Sequence, residues 1–207
     1  MTMIFSKGGQ VNDVLCYFRK LKPGVKYRLF KAYCVSMYGC ELWLLSNDYL
    51  NDLCPSWRKS LRRIWGLPLN SHNCLLPLIS RCLPLADEIC SRSLNFINAC
   101  LRNNSRLVRN IAHYGIQYGR YNSLIGHNAL FCSRRYNFSF QDVSDGNVNV
   151  RRCVYNYVNG LIQNRQIQTA SFVRELLNLR DGVLELSNNV VLAYDEVEQI
   201  VNIACTC

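Results

Sequence analysis

The chain has 207 residues, of which 49% are apolar and 18% charged. That balance suits one folded domain, or one with a small appendage, and disorder is not its default state. The net charge of +10 is uneven: residues 1–135 carry 19 Lys and Arg against 6 Asp and Glu, and residues 136–207 carry 5 against 8. A basic front followed by a mildly acidic tail points to a polyanionic partner.

The apolar spacing predicts a mainly α-helical fold throughout. Val11 to Leu21 forms a short amphipathic segment, ended by the breaker cluster Lys22-Pro23-Gly24. From Val25 the apolar stripe Leu29, Tyr33, Met37, Cys40 and Leu44 runs at steps of three and four, with Lys22, Lys26 and Lys31 on or near the other side. The next helix places Leu50, Leu53, Cys54, Trp57, Leu61, Ile64 and Trp65 on one face. Pro55 is expected either to kink it or to mark where its regular part begins. Leu67-Pro68 ends it, and a polar link through Asn70, Ser71 and Asn73 follows.

After Pro84 comes the clearest pattern in the chain: Ala86, Ile89, Cys90, Ser93, Leu94, Ile97, Cys100 and Leu101. Asp87 and Glu88 in its first turn suit the helix dipole. Ser105 is a candidate N-cap for a helix from Arg106 to His113. Tyr, Asn, Ser and Gly dominate residues 115–146, so a loop-rich connection is expected, with one short helix over the island Leu124 to Cys132. Val150, Cys153, Val154, Tyr157, Val158, Leu161 and Ile162 mark another helix. A further one, capped by Thr169 or Ser171, runs to Arg180. Val183 to Tyr194 alternates like a small β-hairpin, and a last helix opens at Asp195-Glu196. The expected organisation is a lead-in at 1–24, a helical bundle at 25–114, the connection at 115–148 and a smaller helical region at 149–207.

Twelve cysteines would suit a small secreted disulfide framework, but Met1 to Gln10 has no apolar leader region and no apolar run approaches a membrane span of roughly 20 residues. The expectation is an intracellular protein, nuclear or cytoplasmic, whose reduced thiols replace small apolar side chains. Cys74, Cys82 and Cys90 recur at intervals of eight, but no tight C-x2-C or H-x3-5-H pair seats two metal ligands at once, so no metal is expected. No nucleotide-binding glycine motif, metalloprotease motif or Cys/His nucleophile signature is present, and neither a cofactor nor a catalytic residue is expected. Tyr194-Asp195-Glu196 is better explained as helix N-terminal charge than as a polymerase carboxylate pair.

The sharpest candidate site is Arg58, Lys59, Arg62 and Arg63, supported by Lys26 and Lys31. Arg58 with Arg62, and Lys59 with Arg63, stand one helical turn apart, a spacing that reaches successive backbone phosphates without reading sequence. The competing interpretation is a solvated helix face. Trp57 and Trp65 fall on the apolar stripe and, with Trp43, are expected to be structural anchors rather than base-stacking platforms.

Tyr38-Gly39-Cys40-Glu41-Leu42-Trp43, then Trp57-Arg58-Lys59-Ser60-Leu61-Arg62-Arg63-Ile64-Trp65-Gly66-Leu67-Pro68, then a polar step to His72, resembles the region just after the polymerase core in reverse transcriptases of non-LTR retrotransposons. The chicken-repeat and jockey-like kind is the nearest in character. Arg28 through Gly39 resembles that family's post-palm helix, and Arg92-Ser93-Leu94-Asn95-Phe96 resembles a later segment. Glu175 to Gly182 and Tyr194 to Thr206 resemble the end of such a reading frame, so the likeness covers residues 25–207. It implies a thumb-like helical element, from Lys26 to about Leu101, that grips an RNA/DNA duplex or hybrid by its backbone. The Tyr-x-Asp-Asp signature is missing and no endonuclease is present, so neither activity carries over to any residue. Such a thumb is also expected to self-associate through exposed apolar surface on residues 11–45. A helical protein-interaction module, a helix-turn-helix regulator and a translated transposon remnant without a selected role stay open as alternatives.

Overall fold

The computed structural model describes residues 20–162 except 35, 36, 70, 72 and 74. The expected hairpin at Val183–Tyr194, the caps Thr169 and Ser171, the last helix, His72 and Cys74 lie outside the described residues. The described chain is mainly α-helical and contains no strand. It divides into two compact units: Met1–Met37, Cys54–Cys82 and Asn159–Cys207 make the first, and Tyr38–Leu53 with Leu83–Val158 the second.

In the first unit, α1 (Pro23–Tyr33) opens with a proline in its first turn, where the missing donor costs nothing, and buries Phe30. α2 (Asn47–Trp65) begins in the second unit and ends in the first. Its predicted face is borne out: Leu50, Leu53, Cys54, Trp57, Leu61, Ile64 and Trp65 are all buried. Pro55 lies inside the helix and does not mark its start. Gly66 stops α2 in the left-handed region, at φ +68°, and Leu67 N–H donates back to the Arg62 carbonyl at 2.8 Å. That is the glycine-terminated helix end in which orphan carbonyls find donors. Trp65 then donates from Nε1 to Ser80 Oγ, at 2.9 Å, on α3 (Leu75–Ser80), and its ring meets Tyr27 of α1 with centroids 5.9 Å apart. One tryptophan thereby joins three helices.

In the second unit, α4 (Leu85–Leu101) is central and packs against a short 3-10 turn (Cys40–Leu42), α5 (Arg106–Gln117) and α6 (Leu124–Tyr136). Its predicted stripe is buried except for Cys100, which is half-buried. The short α7 (Phe140–Ser144) packs on α5 and α6, and α8 (Val150–Ile162) buries Val150, Val154 and Val158.

Two expectations fail. The stripe from Leu29 to Leu44 does not form one helix: α1 stops at Tyr33, which is 71% exposed, and Gly39 turns the chain at φ +76° into the 3-10 turn. Only Cys40 of that stripe is fully buried, while Leu44 is exposed. A spacing of three and four survives a glycine turn in the sequence, but the helix does not. The connection expected at 115–148 is more helical than expected: the short helix over Leu124 to Cys132 is present as α6 and runs on to Tyr136, while the end of α5 and α7 stand where loop was expected. Its Ile116, Ala129, Cys132 and Val143 are completely buried.

The polar and small residues of α6 serve packing. Ser123 caps the helix by accepting from Gly126 N–H at 3.0 Å and donates to the Gly115 carbonyl at 2.8 Å. A Cβ at Gly126 would collide with the Gly115 carbonyl oxygen of α5, so only glycine lets the backbones of α5 and α6 approach this closely. Ser105 holds the N-cap position of α5 but makes no capping bond with its side chain; its N–H donates to Asn103 Oδ1 at 2.9 Å.

Buried polar side chains hold the second unit together. Asn128 accepts from Leu45 N–H at 3.0 Å and donates to the Trp43 carbonyl at 2.8 Å and to Ser93 Oγ at 3.2 Å. His127 Nε2 lies 2.9 Å from the Leu45 carbonyl, so that nitrogen carries the proton. Asp87 is 2% exposed, and its Oδ1 accepts from Arg135 Nε and Nη2, both at 3.0 Å, and from Tyr136 Oη at 2.9 Å. Burial opposes the charge on Arg135, but the Asp87 carboxylate outweighs it and the net shift is upward. Burial, reinforced by Cys90 and Asp87, keeps the Tyr136 hydroxyl protonated far above its usual range. Cys90 and Cys132, both fully buried, add a thiol–thiol hydrogen bond between α4 and α6. The described cysteines are free thiols, this pair included.

Asn128→Ala strands the Leu45 amide and lowers the unfolding free energy by about 2–4 kcal/mol; Asn128→Leu, which keeps the volume, loses a similar amount, measured as urea midpoints at constant m. Asp87→Ala leaves a partly buried guanidinium unpaired and costs about 3 kcal/mol in the same assay.

Candidate nucleic-acid interface

The sequence-predicted cations all belong to the first unit. Lys26 is half-buried and Lys31 exposed on α1; Arg58 is half-buried and Lys59 and Arg63 are exposed on α2. Helical spacing places Arg58, Arg62 and Trp65 along one line of α2, with Lys59 and Arg63 on the adjacent line. Tyr27, which touches Trp65, stands one turn before Lys31 on α1. The aromatic contact therefore joins the two helices that carry these cations.

Arg62 differs from its neighbours. Its Nη2 donates to the Ser71 carbonyl and to Asn73 Oδ1, each at 2.7 Å, so the guanidinium pins the polar link to α2. Burial first and the Arg58 charge second lower its pKa. Its Nε is buried without a partner. Arg62 is thus engaged inside the fold and positions the cluster.

The tryptophans divide in the same way. Trp57 and Trp65 are buried anchors, whereas Trp43, in the second unit, is half-buried and meets Tyr49 edge-on at 5.6 Å. Buried as they are, Trp57 and Trp65 do not offer a face on which bases could stack.

Sequence reasoning leaves out Arg28 and Arg81, both exposed and both in this unit. Arg28 stands one turn before Lys31, a spacing visible in the sequence. Arg81 is placed by its left-handed backbone at the end of α3, at φ +50°, which the sequence does not announce. Residues 20–37 and 54–82 together contain ten Lys and Arg and no Asp or Glu. Over its whole sequence the first unit holds fifteen Lys and Arg against seven Asp and Glu, and the second nine against seven.

Among the described residues, no three His, Cys, Asp or Glu side chains come together to hold a metal ion, and no helix is long and apolar enough to cross a membrane. No protein-family model matches the chain, and no match is found among the curated proteins or the solved structures.

Arg62→Gln releases Ser71 and Asn73 and lowers stability by about 1–2 kcal/mol, whereas Lys59→Gln stays within about 0.5 kcal/mol; thermal midpoints of the two variants separate the positioning arginine from its exposed neighbour.

Proposed function

We propose that the chain is a non-catalytic, thumb-like part of a non-LTR retrotransposon reverse transcriptase that holds an RNA/DNA duplex or hybrid by its backbone. The observation that carries this reading is the charge of the first unit, whose described segments hold ten cations and no carboxylate side chain. Phosphate is the chemistry that such a concentration of cations attracts. Lys26, Lys31, Arg58, Lys59 and Arg63 supply the contacts, and Arg62 holds the segment beside them in place. Contacts of this kind position a duplex and carry no sequence information. The mainly helical fold, and the burial of Trp57 and Trp65 behind the cations, agree with a gripping element that is firm on one side and charged on the other. Val25 and Tyr33, exposed on α1, belong to the apolar surface through which such a unit would self-associate.

Fluorescence anisotropy with a labelled RNA–DNA hybrid, titrated at two salt concentrations, tests the proposal. The wild-type chain binds with a steep salt dependence and little sequence preference. Arg58→Gln, Lys59→Gln and Arg63→Gln together weaken every sequence alike, and the log–log salt slope falls by roughly 0.9 for each phosphate that is no longer neutralised. Absence of binding at low salt, or binding unchanged by the triple substitution, overturns it.

A further inference from the structure

α5 turns only part of its circumference toward its own unit. Ala112, Gly115 and Ile116 are buried, whereas Leu107, Ile111, Tyr114 and Tyr118 recur at steps of four, three and four on the opposite side. These four are exposed by 59 to 75%, and Tyr121, just beyond the helix, by 74%. Side chains spaced in this way line one face of a helix. The Tyr114 and Tyr118 rings lie 5.2 Å apart between centroids, inclined by 35°, and form a paired aromatic surface open to solvent. A continuous apolar stripe of this length differs from scattered exposed residues and marks an interaction site.

Charge decides what fits it. From residue 89 to residue 141 the chain has seven arginines and no Asp or Glu. Exposed Arg106 precedes the stripe, and Arg120, also exposed, lies between Tyr118 and Tyr121 in the chain with its guanidinium 4.3 Å from the Phe140 ring centre. Asn110 and Gln117, both exposed, flank the same face. A second copy of the chain would set arginine against arginine. An apolar partner helix would leave three tyrosine hydroxyls without a matching polar group. Bases stack on tyrosine rings whatever their identity, and the phosphates joining them need cations at the rim.

We propose that the α5 face binds a single-stranded nucleic acid, with bases stacked on Tyr114, Tyr118 and Tyr121 and phosphates held by Arg106 and Arg120. The surface lies wholly in the second unit and uses none of the cations assigned to duplex binding. It meets base faces and phosphates rather than sugars, so ribose and deoxyribose strands bind alike.

The full chain is titrated by anisotropy against labelled oligo(dT), oligo(U) and a duplex, together with the Tyr114→Ala/Tyr118→Ala and Tyr114→Phe/Tyr118→Phe variants. The alanine pair weakens single-strand binding by about tenfold or more per ring, leaves duplex binding near the wild-type value, and the phenylalanine pair restores the stacking. Both tyrosines are exposed, so circular dichroism of the alanine pair stays that of the wild-type chain. Wild-type single-strand affinity in the alanine pair, or an equal loss on duplex, overturns the proposal. So does a dimer in sedimentation that the alanine pair dissociates, which would make the stripe a contact between copies. Repeating the single-strand titration in the Arg58→Gln/Lys59→Gln/Arg63→Gln chain separates the two surfaces: failure of duplex binding reads out the first unit, and the single-strand loss on alanine substitution reads out the second.

Discussion

The second unit depends on how it treats one stretch of extended backbone. Between the 3-10 turn and α2 the chain runs from Trp43 to Ser46 with no strand beside it, yet Leu45 is completely buried. A buried amide and carbonyl without partners would cost several kcal/mol. The side chains of Asn128 and His127 occupy the place of a neighbouring strand, and the Asn128 amide goes on to Ser93 on α4. This arrangement fixes the entry of α2 in the second unit, and the burial of Leu50 and Leu53 follows from it. Ser46 Oγ then accepts from Tyr49 N–H at 3.2 Å, which starts the helix cleanly.

Two further constraints act on the same pair of helices, α4 and α6. The Asp87 carboxylate draws Arg135 and Tyr136 to one oxygen, and the thiols of Cys90 and Cys132 meet beside it. On the far side of α6, glycine-mediated backbone approach sets its distance from α5. The outer face of α5 is therefore carried on a helix whose inner face has little room to shift. Rigidity on the inside is what lets exposed tyrosines present a defined surface rather than a mobile one.

The legible parts of this fold are those where a single periodic signal decides the outcome. The stripes of α2 and α4 can both be read residue by residue, since a long apolar face at helical spacing has few other uses. The run from Leu29 to Leu44 has the same spacing and is not one helix: α1 ends at Tyr33, and Gly39 further on turns the chain at positive φ into the 3-10 turn, while the arithmetic of the spacing stays intact. α6 is legible only as a short apolar island within a stretch expected to be loop: its Gly126, His127, Asn128 and Ser133 look like loop residues, and the first three are small or polar because of backbone that lies elsewhere in the sequence. Asp87 reads locally as a helix-dipole charge, and nothing nearby announces Arg135 as its partner. At the cationic face the residue types are visible and their division of labour is not. Arg58, Lys59 and Arg63 look like Arg62 in sequence, and only the Ser71 and Asn73 bonds set Arg62 apart.

The lack of carboxylates in the described segments of the first unit has a consequence for folding itself. Cations confined to one compact body repel one another; burial first, and the Arg58 charge second, lower the pKa of Arg62. Dissolved electrolyte screens the repulsion and so favours the compact state, while the same electrolyte competes with nucleic acid for the surface. A bound polyanion relieves the strain more completely than simple salt, because it binds the folded unit in preference to the unfolded chain. Ionic strength therefore acts in opposite directions on the compactness of these segments and on any binding of a polyanion to them.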